Sequence, residues 1–126
     1  ITLAIKGLTG RGRPEDYERS DYWEGPSLKH WSFPSFHAAG SWAVATAIAR
    51  SNPDKPLLGV ICYTSATAVS LSRLYLNKHW SSDIFWGAAL GFGVASATVK
   101  LHENTAFRFF PLFGRNQTGV GITYRF

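Results

Sequence analysis

Apolar residues gather in three long stretches of this chain, and each stretch predicts a helix. The first, residues 38–50, is rich in alanine, and Pro34 before it suits the first turn of a helix that begins near Ser35. The second predicted helix runs from about residue 56 to residue 74. Its β-branched residues would also suit a strand, but a continuous segment of this length favours a helix.

The third predicted helix begins near Ser81 or Ser82, because either hydroxyl can cap a helix, and it continues to about His102. Three glycines lower its intrinsic helix propensity. The same small residues permit a neighbouring helix to approach closely: Gly87, Gly91 and Gly93.

The segments outside these helices are shorter and more polar. Residues 1–8 predict the end of a helix that Gly7 breaks, and residues 14–29 predict a surface loop or lid. In the tail, residues 108–111 predict irregular structure, whereas the alternation in residues 120–126 predicts a strand. A plain edge strand is favoured over the closing strand of an outer-membrane protein.

The composition is that of one folded, mainly helical domain. The 126 residues are 45% hydrophobic and 17% charged without a low-complexity tract, which excludes a disordered chain. The length predicts a single domain, 1–126, with a core of residues 1–103 and a tail of residues 104–126. One cysteine excludes an internal disulfide. Because the chain begins at Ile1 within the helical pattern, we expect it to be part of a longer product.

Two uncharged runs bear on a membrane location. There are 17 residues between Lys55 and Arg73, and 16 between Asp83 and Lys100. Each run is just short of the roughly 20 residues that a spanning helix requires, and both contain many small or polar residues. We therefore favour core helices, or helices packed at a membrane, over free spans.

The charge is unevenly distributed. The net charge is +5, but five of the eight acidic residues lie within residues 15–24, and the rest of the chain has 12 basic against 3 acidic residues, or +9. This balance favours an anionic partner such as a phosphate ester, an anionic membrane surface or nucleic acid. Nucleic acid ranks low, because the cations cluster with histidines and are not interleaved with exposed aromatic residues.

Chemically capable residues concentrate in three short segments. Together these segments supply three cations, a hydroxyl, two histidines and a carboxylate, with predicted helix starts near both histidines. A helix start presents free N–H groups and the positive end of the helix dipole, which suits a tetrahedral oxyanion. In chain order the residues are Lys6 and Arg13, then Ser35, Phe36 and His37, then Arg73, His79 and Asp83.

The spacing suggests roles for these groups. His79 and Asp83 are four positions apart, so Asp83 can accept from one ring nitrogen while the other nitrogen faces a ligand, which makes His79 a candidate nucleophile. His37 is a candidate acid for a leaving oxygen. Arg11 could contact a substrate, but solvent is the favoured interpretation. The charge on the non-bridging oxygens of a phosphate would be neutralised by Lys6, Arg13 and Arg73.

In this order and spacing, the three segments resemble the signature motifs of the type 2 phosphatidic acid phosphatase (PAP2) superfamily, which includes bacterial class A acid phosphatases and vanadium haloperoxidases. The resemblance implies a helical bundle of the PAP2/haloperoxidase type that associates with N-terminal helices lacking in this chain. It implies a phosphohistidine intermediate without metal or cofactor. The expected substrate is a phosphate monoester or diphosphate, above all a lipid phosphate, at the bacterial cell envelope, in the periplasm or at the membrane.

The matching positions imply a role for each residue. His79 would be the nucleophile, Asp83 its partner and His37 the general acid. The implied phosphate-binding residues are Lys6, Arg13, Ser35, Phe36 and Arg73.

Two alternatives remain open. A vanadium-dependent haloperoxidase would hold vanadate on the same residues, although residues 79–83, His-Trp-Ser-Ser-Asp, look more like the phosphatase branch. A non-catalytic phosphate or phospholipid binder is the second alternative, because Phe36 occupies the position where the motif has glycine. Phenylalanine keeps the backbone N–H, but it does not easily adopt positive φ, and its ring can crowd the pocket.

Overall fold

Four helices followed by a β-hairpin make up the described part of the chain, which is mainly helical as predicted. The computed structural model describes residues 2–16, 21, 23, 25–26, 32–104, 107–114 and 117–124, and from residue 104 onward it describes the backbone alone. The elements are α1 (Thr2–Thr9), α2 (Phe36–Ser51), α3 (Pro56–Tyr75), α4 (Ser81–Asn104), β1 (Phe107–Gly114) and β2 (Gln117–Tyr124).

Helix α1 continues through Gly7, so the predicted break at that residue is wrong. The helix ends at Thr9, and Gly10 then adopts a φ of 55° while its N–H donates to the carbonyl of Lys6 at 3.2 Å. A glycine inside a helix costs only about 1 kcal/mol, whereas the left-handed conformation at the C-terminus selects for glycine. Gly10 therefore sets the end of α1 and turns the chain toward Arg11.

Helix α2 begins where the sequence predicts, with Ser35 as its N-cap. The Ser35 side chain accepts a hydrogen bond from the N–H of Ala38 at 3.4 Å, which satisfies one free donor of the first turn. Pro34 precedes the cap instead of lying in the first turn. The backbone N–H of Ser35 donates to the carbonyl of Asp83 at 2.9 Å, so the start of α2 is attached to the start of α4.

Helix α3 confirms the choice of a helix over a strand for this segment. It begins at Pro56, an ordinary first-turn position for proline, and ends at Tyr75. Asn77 follows with a φ of 51°, and its N–H donates to the carbonyl of Leu74 at 2.9 Å. Asparagine tolerates this left-handed conformation better than most residues, so the chain can reverse direction between α3 and α4.

Helix α4 begins at Ser81, but neither predicted serine caps it. Trp80 takes the cap position, and the carboxylate of Asp83 reaches back to accept from the Trp80 N–H at 3.0 Å. A third-position carboxylate that satisfies the cap N–H is one half of a capping box. Ser82 instead accepts a hydrogen bond from Arg11. The carboxylate of Asp83, a predicted site residue, therefore also stabilises the first turn of α4.

Helix α2 packs against both α3 and α4, and glycines allow the contact with α4 to be very close. A Cβ atom at Gly87 would lie 2.5 Å from the carbonyl oxygen of Ser35, and one at Gly91 would lie 2.1 Å from that of Ala39. The buried apolar residues are mostly small, which suits this close approach: Ala38, Ala39, Ala45, Ala66, Ile84 and Ala95.

The outer faces of α3 and α4 are apolar and largely uncovered. By length and composition, Pro56–Tyr75 and Ser81–Glu103 are apolar enough to cross a membrane, and only 11% and 22% of these windows are buried. Exposed side chains include Leu57, Val60, Phe85 and Leu101. Within the described residues, these helices therefore do not form a buried core. Of the two predicted possibilities, helices packed at a membrane are favoured over core helices.

The tail forms an antiparallel hairpin in which Phe107 pairs with Tyr124 and Gly114 pairs with Gln117. Residues 108–111 belong to β1, so the prediction of irregular structure there is wrong. Pro111 cannot donate a hydrogen bond, but each strand of a two-stranded sheet has a free edge where that loss is tolerated. The predicted strand is confirmed through Tyr124 as part of β2, and residues 125–126 lie outside the described residues.

The close packing of α2 on α4 predicts opposite effects for two alanine substitutions on α4. Gly91→Ala places a methyl group against the backbone of α2 and should lower the free energy of unfolding by roughly 1–3 kcal/mol. Gly93→Ala is the matched control, because nothing lies within 4 Å of its Cβ, and it should be neutral or stabilising by up to about 1 kcal/mol. Denaturant unfolding followed by circular dichroism measures both, and equal values would contradict this packing.

Candidate active site

The carboxylate of Asp83 lies at the centre of the site and is completely buried. Its Oδ1 accepts from Arg11 at 2.5 Å. Its Oδ2 accepts from the Ser32 hydroxyl at 2.5 Å and from the backbone N–H of Trp80 at 3.0 Å. A buried charge is stable only when it is paired and hydrogen-bonded, and Asp83 satisfies both conditions.

His79 lies beside this carboxylate, in the turn that precedes α4. Its side chain is 5% exposed, and its Nδ1 is 3.7 Å from Oδ2 of Asp83. That distance is longer than a hydrogen bond, and Nδ1 has no hydrogen-bond partner among the described residues. The structure thus brings His79 and Asp83 together as predicted, but Ser32 and Trp80 occupy the acceptor positions of Oδ2.

His37 approaches the same place from the first turn of α2. Its pKa is lowered from the ordinary value of 6.5, first by partial burial and then by electrostatic interaction with Arg73, His79 and Lys6. His37, the second predicted histidine, is therefore close enough to the predicted cations to interact with them. Arg73, in the last turn of α3, has a buried Nε without a hydrogen-bond partner in the described part of the chain.

Lys6 enters the site from α1 and is unusually buried for a lysine, with 6% of its surface exposed. Burial and the charge of Arg13 lower its pKa to about 8, while the negative charge of Asp83 opposes the shift. Arg13 is more exposed and pairs with Glu15 at 3.3 Å. Glu15 also pairs with Lys78, so a surface carboxylate joins the first and third segments.

In the second segment, residues 35–37, two details differ from what the sequence predicted. Ser35 is completely buried, and its N–H already donates to Asp83, so only its hydroxyl remains as a donor to a ligand. Phe36 begins α2 and is not among the residues with positive φ, so glycine is not needed there for backbone reasons. Its ring is 55% exposed, stands edge-on to His37 and lines an apolar cavity of about 260 Å³ between α2 and α4.

Sequence reasoning missed two residues of the site, Arg11 and Ser32. The assignment of Arg11 to solvent is wrong, because its side chain is 7% exposed and pairs with Asp83. The two glycines that flank Arg11 were an available signal, since they permit the backbone to pass close to other segments. Ser32 offered no comparable signal, because a single serine in a loop has many ordinary uses.

No group of three or more His, Cys, Asp or Glu side chains with the geometry of a metal site occurs among the described residues. The functional groups that these residues do collect are cations, the imidazoles of His37 and His79, and the carboxylate of Asp83. Such a set can bind a tetrahedral oxyanion and offers both a nucleophile and an acid.

The lowered pKa of Lys6 predicts a pH dependence of anion binding. Sulfate keeps its charge at neutral and alkaline pH, so its affinity reports the charge of the protein. As the pH rises through about 8, Lys6 loses its proton and sulfate affinity should fall, by at most about tenfold per pH unit. Isothermal titration calorimetry measures this. Lys6→Arg stays charged and should lack the decline, and an identical decline in both proteins would contradict the role of Lys6.

Comparison with known proteins identifies the family of this chain. Residues 1–107 match the model of the PAP2 superfamily. Over 91 residues, the chain is 35% identical to decaprenylphosphoryl-5-phosphoribose phosphatase of Mycobacterium tuberculosis, covering 72% of this chain and 48% of that protein. Over 92 residues, it is 30% identical to undecaprenyl-diphosphatase of Sulfolobus acidocaldarius, covering 72% and 43%.

A shorter match of 61 residues is 39% identical to lipid A 1-phosphatase of Porphyromonas gingivalis, covering 48% of this chain and 14% of that protein. The chain thus spans less than half the length of each of these relatives. No solved structure gave a significant match. The family model covers most of the chain, including all three segments that converge on Asp83, and the chain therefore belongs to the PAP2 superfamily.

Proposed function

We propose that this chain carries the active site of a phosphatase that hydrolyses a phosphate monoester or diphosphate, with a lipid phosphate as its substrate. The observation that carries the proposal is the position of His79, which lies against the buried carboxylate of Asp83 while Lys6, Arg73 and His37 interact electrostatically around it. The three named relatives support the same reaction, since each name describes a phosphatase or diphosphatase.

In the first step, the Nε2 atom of His79 attacks phosphorus in line with the leaving oxygen. The new N–P bond forms as the P–O bond to the alcohol or phosphate breaks, and His37 donates a proton to the departing oxygen. Asp83 lies beside Nδ1 of the imidazole and stabilises the ring from that side, while Nε2 is the reacting nitrogen. The product of this step is a phosphohistidine, and His37 is left neutral.

In the second step, water attacks the phosphohistidine. Neutral His37 accepts a proton from the water, the N–P bond breaks, and phosphate leaves with His79 restored. The negative charge on the non-bridging oxygens is neutralised in both steps by Lys6, Arg73 and Arg13. Phosphoryl transfer depends mainly on such positioning and charge stabilisation, so the residues of the chain supply the chemistry without a metal ion.

The apolar helices support a lipid substrate and a location at the membrane of the cell envelope. Arg73 lies in the last turn of α3 and Asp83 in the first turn of α4, so the site is at the shared end of two helices that are apolar enough to cross a membrane. A phosphate headgroup could meet the site there while its apolar chain stays with the lipid.

Two alanine variants test the proposed chemistry. His79→Ala removes the nucleophile and should lower kcat for phosphate release by about 10³-fold or more, from both p-nitrophenyl phosphate and a lipid phosphate. His37→Ala removes the acid and should slow hydrolysis of the lipid phosphate by roughly 10²–10⁴-fold. It should slow p-nitrophenyl phosphate less, since p-nitrophenolate leaves readily without a proton.

His102→Ala is the matched control, because His102 is an exposed histidine near the end of α4, away from the site. Its turnover should equal that of the wild type. Undiminished turnover in His79→Ala would refute the mechanism, and equal losses with both substrates in His37→Ala would remove His37 from the role of acid.

Substitutions of Phe36 distinguish an active phosphatase from a non-catalytic phosphate binder. Because the backbone at Phe36 is already helical and its ring is exposed, Phe36→Ala should change kcat/KM for p-nitrophenyl phosphate by no more than about twofold. KM for a lipid phosphate should rise, because the ring, which contacts His37, lines an apolar cavity. A wild type that binds phosphate without turnover, together with a Phe36→Gly variant that hydrolyses it, would show that the ring blocks the site.

A further inference from the structure

Arg11 is held in the site from several directions, although it was not among the predicted site residues of the first segment. Its Nη1 donates to Asp83 at 2.5 Å and to the hydroxyl of Ser82 at 2.7 Å. Its guanidinium carbon lies 4.8 Å from the ring centroid of Trp23 and 5.9 Å from that of Trp80. Its carbonyl accepts from the N–H of Ser32 at 3.1 Å. An arginine that is buried and fixed in this way orients its partner, and it is not a mobile surface charge.

The partner it orients is the carboxylate next to His79. Arg11 occupies Oδ1, while Ser32 and the Trp80 N–H occupy Oδ2, so rotation of the carboxylate would break at least one charge-assisted hydrogen bond. A carboxylate oxygen has two acceptor positions, and both positions of Oδ2 are used. His79 therefore meets a carboxylate whose direction is set by other groups, at 3.7 Å.

Arg11 also changes the charge that His79 experiences. The charged and titratable groups around the pair come from each neighbouring element: Lys6 on α1, His37 on α2, Arg73 on α3 and Asp83 on α4. Asp83 is the anion in this set, and Arg11 neutralises it directly. Without Arg11, the free carboxylate would favour protonated imidazole at His79, and protonated imidazole cannot attack phosphorus.

We propose that Arg11 is a positioning residue that, together with Ser32, fixes the direction of the Asp83 carboxylate beside His79 and offsets its negative charge. This inference rests on the proposed function, in which His79 attacks the phosphate. Arg11 touches neither substrate nor reacting atoms, because it acts through Asp83.

The test compares Arg11→Gln, Arg11→Lys and Ser32→Ala with the wild type. In Arg11→Gln, kcat for p-nitrophenyl phosphate should fall roughly tenfold to a hundredfold, as when a group that orients a functional side chain from behind is removed, with little change in KM. The acidic limb of its kcat/KM profile should move to higher pH. Arg11→Lys keeps the charge and should keep the limb in place, while Ser32→Ala frees Oδ2 and should move it in the same direction as Arg11→Gln.

Arg50→Gln is the matched control, because Arg50 is exposed at the end of α2 and lies over the ring of Phe92. It should leave the rate and the pH profile unchanged. Melting temperatures of all variants separate misfolding from repositioning. If Arg11→Gln does not fold, Ser32→Ala carries the test, since it removes one hydroxyl and adds no bulk. Folded variants whose acidic limbs all coincide with the wild type would overturn the inference.

A second measurement does not depend on turnover. The ¹⁵N chemical shifts of the His79 ring report its tautomer and protonation, and at neutral pH they should show more imidazolium in Arg11→Gln than in the wild type. If the wild type hydrolyses no phosphate ester, the proposed function fails, and these shifts still decide the role of Arg11. Identical His79 shifts in wild type and Arg11→Gln would overturn that role.

Discussion

The burial of one negative charge organises the site. Asp83 is completely buried, and transferring an isolated carboxylate out of water would be prohibitive without compensation. The compensation comes from parts of the chain that are far apart in sequence, through Arg11, Ser32 and the N–H of Trp80. Removing one partner of a buried ion pair of this kind typically costs about 3–5 kcal/mol. The loop after α1, the segment before α2 and the start of α4 must therefore meet at this carboxylate.

Helix packing makes that meeting possible. The glycines of α4 let its backbone approach α2 so closely that the carbonyl of Asp83 accepts from the N–H of Ser35. The same approach sets the N-terminal ends of two helices side by side, where their dipoles add to the positive potential. Stability and the proposed anion binding thus depend on the same contact, and a substitution that separates the helices should weaken both.

The site is also electrostatically frustrated in a way that favours an anion. Lys6 and His37 both have lowered pKa values, to which burial and repulsion among neighbouring cations contribute. The Asp83 carboxylate is already shared with Arg11, which limits how far it offsets these charges. The proposed phosphate group would relieve this repulsion on binding.

The sequence by itself determined the helical character of the chain, the approximate bounds of α2, α3 and α4, and most of the candidate site residues, because helix periodicity and motif spacing are local properties. It did not determine that Asp83 accepts the N–H of the cap residue Trp80, or that residues 108–111 form a strand. Least of all did it predict Arg11, which is 72 residues away from Asp83 along the chain. Only the tertiary structure could decide those points, since the partner that neutralises a buried charge is chosen by proximity in space.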